Sequence, residues 1–363
     1  MLTHEEQERY SRQIILSEFG VEGQERLQNA RVLIVGTGGL GSPAALYLAA
    51  MGVGILGIID DDTVSLSNLH RQILYTQDDA GKRKVPVAAE RLRKINPNVN
   101  IVPVCDRLKR ENAVDMFRNY DLVLDGTDNF ATRYLVNDAA LMLGIPLISG
   151  SILKFEGQLT VVGLDHGPCY RCIFPEAPNS DEVPTCSEAG VLGALAGTMG
   201  TMMAIEAVKI ITKIGEPLAG RLLIYNAFRS TFQAIKVDRD PACPYCSVAR
   251  EERKLLNQYE DLSCTVDELS WESFSSRGMS LIDVREEWEF QSQPSRGNLI
   301  PLRVLLDRII ELPQEEFAVV CASGIRSLKA VQLLKTKGIR AWSIKGGMQS
   351  ARKNRPDKLA ETE

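Results

Sequence analysis

A glycine-rich turn between a buried strand and a helix constrains this chain more than any other feature. Residues 31–35 read Arg-Val-Leu-Ile-Val, a run typical of a buried parallel strand. Gly36, Gly38 and Gly41 follow with the spacing G-x-G-x-x-G, and Gly39 adds a fourth glycine to the turn. With a helix predicted over 43–51, the turn presents backbone N–H groups and a helix N-terminus to a phosphate. It predicts a nucleotide site without saying which nucleotide, and a tight turn without ligand is the alternative.

Alternating strand and helix patterns around this turn predict the fold. Further strands are expected at 55–59, 99–104, 121–124 and 146–149, with helices between them. This alternation is typical of an open, mostly parallel α/β sheet of the Rossmann type. From residue 157 the pattern changes, and strands at 158–162, 222–225 and 231–237 are expected to continue the sheet in antiparallel fashion.

The length of 363 residues indicates two domains. We expect a nucleotide-binding domain over 1–246 and a charged linker over 247–262, helical as far as residue 258. A second, small α/β domain is expected over 263–363, with strands at 280–284 and 317–320.

Charge and hydropathy exclude several classes of function. The formal net charge of −5 gives no basic field for nucleic acid. The charged N-terminal residues lack the apolar core of a signal peptide, so we expect a cytoplasmic protein. Residues 189–205 carry no charge, but their Gly, Ala, Thr and Met content favours a buried helix at a core or dimer interface over a membrane span.

Charged residues near the predicted turn narrow the choice of nucleotide. Asp60 ends the second strand, where an acidic residue binds ribose hydroxyls in both NAD and ATP sites. Arg12, Arg71 and Lys84 add cations, which a triphosphate needs more than a nicotinamide dinucleotide does. Asp128 follows the fourth strand, where a carboxylate can hold Mg²⁺ or simply cap the next helix. Lys84 is expected within a helix over 78–95 that begins at two aspartates.

The cysteines predict a metal site. Two C-x-x-C pairs lie about seventy residues apart, formed by Cys169, Cys172, Cys243 and Cys246. Four thiolates make a closed tetrahedral Zn²⁺ site with a structural role. Cys186 stands before the apolar helix, where a helix N-terminus lowers the pKa of a thiol. A spare thiol without a role is the alternative at that position.

A second reactive cysteine is predicted at position 321. A strand runs into Cys321, and a short loop with Ser323, Gly324 and Arg326 leads into a helix. A loop of this kind directs backbone N–H groups at the sulfur and favours a thiolate or persulfide. Arg326 would pair with an anionic substrate or with an acidic residue such as Asp283. The three histidines occupy no acid/base setting, which disfavours Ser–His or Cys–His catalysis.

The combined motifs resemble a known family. The first part of the chain resembles the MoeB/ThiF family of bacterial relatives of ubiquitin-activating enzymes over about residues 5–246. The motifs that carry this resemblance are Arg9-Tyr-Ser-Arg12-Gln13, the glycine turn, Asp60-x-Asp62, Asn68-Leu-x-Arg71-Gln72, Lys84-Val85, Asp125-x-Thr-Asp128-Asn129 and the cysteine pairs. Residues 263–350 resemble a rhodanese domain, with Asp283-Val-Arg285 and the Cys321 loop. The domain order resembles the fused MoeB–rhodanese proteins, which include eukaryotic molybdopterin-synthase sulfurylases.

The resemblance implies a function. The first domain would use Mg-ATP to adenylate the C-terminal glycine of a ubiquitin-like sulfur carrier ending in Gly-Gly. Asp60 would bind the ribose and Asp128 the Mg²⁺, while phosphates would meet Arg71, Lys84, Asn68 and Gln72 beside the glycines. Arg12 would reach the active site of a second subunit in a homodimer. Cys186 would handle the carrier covalently, and Cys321 would carry a persulfide supplied by a cysteine desulfurase or another donor. The carrier could serve molybdenum cofactor biosynthesis, thiamine synthesis, tRNA thiolation or another pathway.

Two other functions stay open on the residues alone. The glycine turn by itself also fits an NAD-dependent oxidoreductase, although no acid/base residue is well placed. A non-catalytic scaffold that recruits a ubiquitin-like partner is the third hypothesis. The rhodanese-like part departs from its family in the short stretch 295–301 and in Met348, which replaces the usual Trp.

Overall fold

The computed structural model describes residues 2–164, 167–175, 190–257, 259 and 268–354. The chain divides into two compact units. The first holds the described residues up to 259, and the second begins at 268.

The first unit is an eight-stranded sheet with helices. Its strands are β1 (Arg31–Val35), β2 (Ile55–Ile59), β3 (Asn100–Val104), β4 (Leu122–Asp125), β5 (Leu147–Leu153), β6 (Glu156–Val162), β7 (Arg221–Asn226) and β8 (Thr231–Lys236). Its helices are α1 (His4–Arg9), α2 (Ser11–Ile14), α3 (Gly20–Asn29), α4 (Gly41–Met51), α5 (Lys84–Ile95), α6 (Arg110–Phe117), α7 (Phe130–Leu143), α8 (Tyr170–Ile173) and α9 (Gly193–Thr212).

In the strand order β3-β2-β1-β4-β5-β6-β7-β8, the glycine turn after β1 lies at the switch point, where strands added after β1 move from one side of the sheet to the other. β1 pairs in parallel with β2 on one side and with β4 on the other. The connections that leave β1 and β4 therefore diverge, which opens a crevice at the carboxyl ends of the strands. β5 to β8 pair in antiparallel fashion. The predicted fold class, a mostly parallel sheet continued by antiparallel strands, is confirmed.

Helix α9 is the predicted uncharged helix. Among the described helices, it alone is long and apolar enough to cross a membrane by length and composition, and half of the window that meets this test is buried. Leu195, Met199 and Met203 on its inner face belong to the main core. Gly200 lies so close to α4 that an added Cβ would stand 2.3 Å from the Leu40 carbonyl oxygen. These contacts support the prediction of a core helix.

Two predicted helices differ in the structure. The helix expected over 78–95 begins only at Lys84, because Asp79 instead closes a short turn, accepting hydrogen bonds from the Thr76 amide and hydroxyl. The linker was expected to be helical over 247–258, but its described residues 247–257 hold only one short 3₁₀ turn, Arg250–Glu252. Arg250 and Arg253 there donate to the Met142 and Leu141 carbonyl oxygens in the last turn of α7, which holds the segment on the first unit.

The second unit is a five-stranded parallel sheet. Its strands are β9 (Glu268–Leu269), β10 (Leu281–Asp283), β11 (Asn298–Leu299), β12 (Phe317–Val320) and β13 (Ala341–Ile344), in the order β11-β10-β12-β13-β9. Its helices are α10 (Trp271–Arg277), α11 (Glu287–Ser292), α12 (Ile325–Thr336) and α13 (Gly347–Asn354). The central strand β12 is fully buried and ends directly at Cys321.

Candidate functional site

The glycine turn after β1 is fixed by close backbone contacts. Gly36 has a positive φ of +88°, which favours glycine. A Cβ on Gly41 would stand 1.9 Å from the Gly36 carbonyl oxygen, so a side chain there would break the turn. A Cβ on Gly36 would meet the Gly126 carbonyl oxygen at 3.2 Å. The loops after β1 and β4 therefore meet at the switch point.

Asp60 braces the glycine turn from the end of β2. Its Oδ2 accepts hydrogen bonds from the Thr37 amide at 2.8 Å and from the Thr37 hydroxyl at 2.9 Å. Its Oδ1 accepts the Asp62 amide at 2.9 Å. The hydroxyl of the buried Tyr75 lies within 3.0 Å of two Thr37 oxygens, and burial raises the pKa of Tyr75. Sequence reasoning missed both residues, because Thr37 occupies an unspecified position of the glycine motif and Tyr75 is uncharged and lies outside the quoted motifs.

Arg71 and Gln72 lie over the glycine turn. Arg71 packs its side chain within 3.6 Å of an ideal Cβ on Gly39 and donates to Asn68 Oδ1 at 2.8 Å. Gln72 is buried, with Nε2 3.4 Å from an ideal Cβ on Gly38. Its Oε1 is one of two buried side-chain oxygens without a hydrogen-bond partner among the described residues. The structure thus brings Asn68, Arg71 and Gln72 together at the turn.

Lys84 begins α5 and is directed at the loop after β2. Its side chain is only 4% exposed, and Nζ lies 2.7 Å from Asp62 Oδ2. The Asp62 side chain is 62% exposed, so this ion pair sits at the border between protein and solvent. The Lys84 ammonium group, buried but next to the protein surface, is suited to bind an anion.

The loop after β4 carries Asp128. Asp125, fully buried, accepts hydrogen bonds at Oδ1 from the Thr127 amide and hydroxyl, while its Oδ2 is without a partner. Burial raises the pKa of the Asp125 carboxyl. Asn129, not Asp128, caps α7 by accepting the Thr132 amide. The alternative that Asp128 caps the next helix was therefore wrong, and the Asp128 side chain is exposed to solvent.

Two predicted residues stand apart from these contacts. Arg12 is exposed on α2. Cys186 lies outside the described residues.

The four predicted metal-ligating cysteines form one cluster. Their sulfur atoms all lie within 4.8 Å of one another, with 3.8 Å between Cys169 and Cys172, 3.6 Å between Cys169 and Cys243 and 3.4 Å between Cys172 and Cys246. Zinc–sulfur bonds of about 2.3 Å in a tetrahedron would separate the sulfurs by about 3.8 Å. The cluster could hold a metal ion, and its four ligands leave no open position.

Cys321 lies at the start of a tight loop between β12 and α12. Its side chain is fully buried, and its Sγ accepts the Gly324 amide at 3.1 Å. The Met348 amide donates to the Cys321 carbonyl oxygen at 2.8 Å, which ties the loop to α13. Gly324 has φ +97° and begins the helix, so the loop needs glycine at this position. Hydrogen bonding from a backbone amide at a helix N-terminus favours a sulfur anion.

Arg326 pairs with an acidic residue, as expected, but the example given, Asp283, was wrong. Arg326 forms two hydrogen bonds with Glu289, both of 2.6 Å, and not with Asp283. Burial opposes the charged form of Glu289, but the Arg326 hydrogen bonds hold its pKa below the ordinary value. Asp283 is already paired with Arg285 in a buried bidentate contact. Arg326 therefore holds the loop to α11.

Comparisons with known proteins agree with this geometry. Residues 10–245 match the ThiF family model, and residues 265–354 match the rhodanese-like domain model. The chain is 50% identical to a sulfur carrier protein adenylyltransferase of Thermus thermophilus, an alignment that covers 70% of this chain and 96% of that protein. It is 42% identical to a probable adenylyltransferase/sulfurtransferase MoeZ of Mycobacterium tuberculosis, over 98% of this chain and 95% of the relative.

Further similarity extends to eukaryotes and to solved structures. The adenylyltransferase and sulfurtransferase MOCS3 of Drosophila sechellia is 42% identical, with 94% of this chain and 84% of MOCS3 covered. The crystal structure of Escherichia coli MccB with ATP has a TM-score of 0.59 and 23% identity, covering 66% of this chain and 75% of MccB, and shows the fold alone. The chain belongs to the ThiF family, in the group of adenylyltransferases that carry a C-terminal rhodanese-like sulfurtransferase domain.

Proposed function

We propose that this protein adenylates the C-terminal glycine of a ubiquitin-like sulfur carrier and then converts it to a thiocarboxylate. The names of the relatives support both activities. The observation that carries the proposal is the assembly of Asp60, Arg71 and Gln72 on one glycine turn, at the switch point of the sheet.

The adenylation step needs little acid/base chemistry. The carrier carboxylate is already ionised, so it attacks the α-phosphorus of ATP directly, forming the acyl–phosphate bond as pyrophosphate leaves with the electron pair of the broken P–O bond. Arg71 and Lys84 would neutralise phosphate oxygens of ATP. The Gln72 Oε1 atom, which has no partner in the structure, would accept a hydrogen bond from an N–H or O–H group of a bound substrate. Asp128, exposed beside the turn, would hold the Mg²⁺ that accompanies ATP.

Sulfur transfer would follow at the second unit. Cys321 receives a sulfane sulfur from a donor, such as a cysteine desulfurase, whose own thiolate leaves. The terminal sulfur of the persulfide then attacks the acyl carbon, and AMP leaves. The thiolate of a reducing thiol then attacks Cys321 Sγ, which releases the carrier thiocarboxylate and leaves a mixed disulfide on Cys321. By the resemblance, Cys186 would handle the carrier covalently.

Zn²⁺ is the metal that we propose for the cysteine cluster, since four thiolates at these distances fit tetrahedral zinc. The cluster would join α8 to the segment around Cys243, with no part in the chemistry.

Changing Cys243 to Ser is expected to lower the bound zinc from about one ion per chain to near none and to lower the melting temperature. Elemental analysis and calorimetry measure both, with Cys105→Ser, an exposed free thiol, as the matched control. Full retention of zinc in Cys243→Ser would contradict this assignment.

A homodimer with shared active sites is the second part of the proposal, supported by the exposed Arg12. Arg12→Ala and Asp128→Ala chains are each expected to be inactive in adenylation. If Arg12 serves the neighbouring subunit, mixing and reannealing equal amounts of the two variants restores about a quarter of the wild-type rate, because about half of the dimers are then heterodimers and half of the sites in each heterodimer are intact. Recovery no greater than the sum of the separate variants would show that Arg12 acts within its own chain or not at all.

The function is tested by carrier-dependent exchange of pyrophosphate into ATP, followed by intact-mass analysis of the carrier. With a sulfur donor present, we expect the carrier to gain about 16 Da as one oxygen is replaced by sulfur. No exchange with any carrier ending in Gly-Gly would overturn the proposal. The NAD alternative has no support from the relatives, and normal exchange activity would also exclude a non-catalytic scaffold.

A further inference from the structure

Two buried serine hydroxyls lie beside the Cys321 sulfur. Ser327, in the first turn of α12, has its Oγ 3.6 Å from Cys321 Sγ. Ser343, on β13, has its Oγ 2.9 Å from Ser327 Oγ. All three side chains are fully buried. The sulfur therefore has a hydroxyl neighbour at a place that bulk water does not reach.

The hydrogen bonds fix the direction of these hydroxyls while Cys321 is a thiol. Ser327 Oγ donates to the Gly324 carbonyl oxygen at 2.9 Å, which uses its one proton. The Ser343 hydroxyl therefore donates to Ser327 Oγ, which also accepts the Cys321 S–H group. The Gly324 carbonyl oxygen has a second donor, the Leu328 amide at 3.0 Å. The Ser327 proton can thus leave this carbonyl without depriving a buried acceptor of its partner.

Loss of the Cys321 proton changes this arrangement. A thiolate donates no hydrogen bond and accepts several, and the Gly324 amide already donates to Sγ at 3.1 Å. The Ser327 hydroxyl then rotates from the Gly324 carbonyl oxygen to the sulfur, because a hydrogen bond to a charged acceptor is roughly twice as strong as a neutral one. The Ser343 proton stays on Ser327 Oγ, so this oxygen keeps a partner while its own proton faces the sulfur.

We propose that Ser327 is a further catalytic residue of the sulfurtransferase unit and that Ser343 is its positioning residue. Ser327 donates to Cys321 Sγ whenever this sulfur carries negative charge, first as the attacking nucleophile and later as the leaving group. Ser343 acts through Ser327 alone. The inference rests on the proposed function, because it takes Cys321 to be the residue that carries the persulfide.

Thiosulfate and cyanide separate the two roles of Cys321 in the full-length chain. In the first half-reaction the Cys321 thiolate attacks the sulfane sulfur of thiosulfate, and sulfite leaves with the electron pair of the broken S–S bond. In the second, cyanide attacks the terminal sulfur of the persulfide, thiocyanate forms, and Cys321 Sγ leaves as a thiolate. A lost hydrogen bond directly disfavours a leaving thiolate. In an attacking thiol it lowers the ionised fraction but raises the nucleophilicity of the thiolate, and these two effects oppose each other.

Ser327→Ala is expected to slow the second half-reaction about 5- to 10-fold and to change the first by no more than about threefold. Ser343→Ala should slow the second half-reaction about twofold. Because Ser343 acts through Ser327, the double variant should match Ser327→Ala. Rapid quenching followed by mass analysis of the persulfide measures each half-reaction.

The matched control is Ser295→Ala. It removes a hydroxyl of the same unit that donates to the Asp283 carboxylate at 2.7 Å and not to Cys321. Both half-reactions should stay within about twofold of wild type in this control.

Equal slowing of both half-reactions in Ser327→Ala would overturn the inference, because general damage to the loop does not distinguish attack from departure. Wild-type rates in Ser327→Ala would overturn it as well. A double variant slower than Ser327→Ala would overturn the role of Ser343. If the wild-type chain passes sulfur from thiosulfate to cyanide but to no carrier, the proposed function fails while the half-reactions still decide the role of Ser327. If wild type forms no persulfide, both fail.

Discussion

An Asp128→Asn chain is expected to adenylate the carrier about 10²-fold to 10³-fold more slowly than wild type, with the sulfurtransferase activity of the second unit unchanged. Asp128 is exposed in a loop whose neighbours are fixed, since Thr127 is held by Asp125 and by Arg133. Asparagine keeps the size and one oxygen of the side chain but removes the negative charge. The loss should therefore fall on cation binding rather than on folding.

The control for this change is Asp121→Asn, at the other end of β4. Asp121 is also exposed and accepts the Arg31 amide through Oδ2, a bond that an asparagine oxygen can keep. Both variants change the net charge equally, and only the first alters the switch-point end of the strand. Pyrophosphate exchange measured over a range of Mg²⁺ concentrations separates them. Equal rates in the two variants would remove Asp128 from the proposed site.

The parts of this fold that sequence reasoning predicted are those specified by local patterns. β1, the glycine turn and α4 follow from a buried apolar run, four glycines and a helix-forming segment, all within twenty-one residues. The antiparallel strands after residue 157 were predicted for a similar reason. Each is a short segment of consecutive residues, and the structure pairs these strands with their neighbours in antiparallel fashion.

Features that depend on partners distant in sequence could not be predicted in this way. Asp283 and Glu289 are both acidic and near the Cys321 loop, but Asp283 is saturated by Arg285 two residues later. This leaves Glu289 as the partner of Arg326. The sequence shows only that both residues are acidic. The structure shows which one is available to Arg326, because Arg285 already occupies the Asp283 carboxylate at the end of β10.

The linker shows the same limitation. Its charged composition predicted a linker helix over 247–258. In the structure two carbonyl oxygens in the last turn of α7 accept hydrogen bonds from Arg250 and Arg253, and this pairing outweighs helix propensity. Tyr259 then donates to the buried Asp138, which also binds Arg171 beside the cysteine cluster. The segment as far as residue 259 is thus a structural part of the first unit.

Replacing Cys321 by serine is expected to abolish sulfur transfer, by at least about 10³-fold, and to leave pyrophosphate exchange within about twofold of wild type. A serine hydroxyl can accept the Gly324 amide in place of Sγ, so the loop and its helix should stay folded. Serine cannot form a persulfide, because that step requires a cysteine thiolate to attack the sulfane sulfur of the donor. The two activities should therefore separate cleanly in one variant.

Cys105→Ser controls for the loss of a free thiol, since Cys105 is exposed on the first unit and belongs to neither candidate site. The two variants are compared by persulfide formation at the second unit, by thiocarboxylate formation on the carrier and by exchange. If Cys321→Ser still forms thiocarboxylate at the wild-type rate, sulfur reaches the acyl-adenylate without Cys321. If exchange falls together with sulfur transfer, adenylation itself depends on the second unit. We expect neither outcome, because Cys321 and the glycine turn belong to two different compact units, each with its own sheet and core.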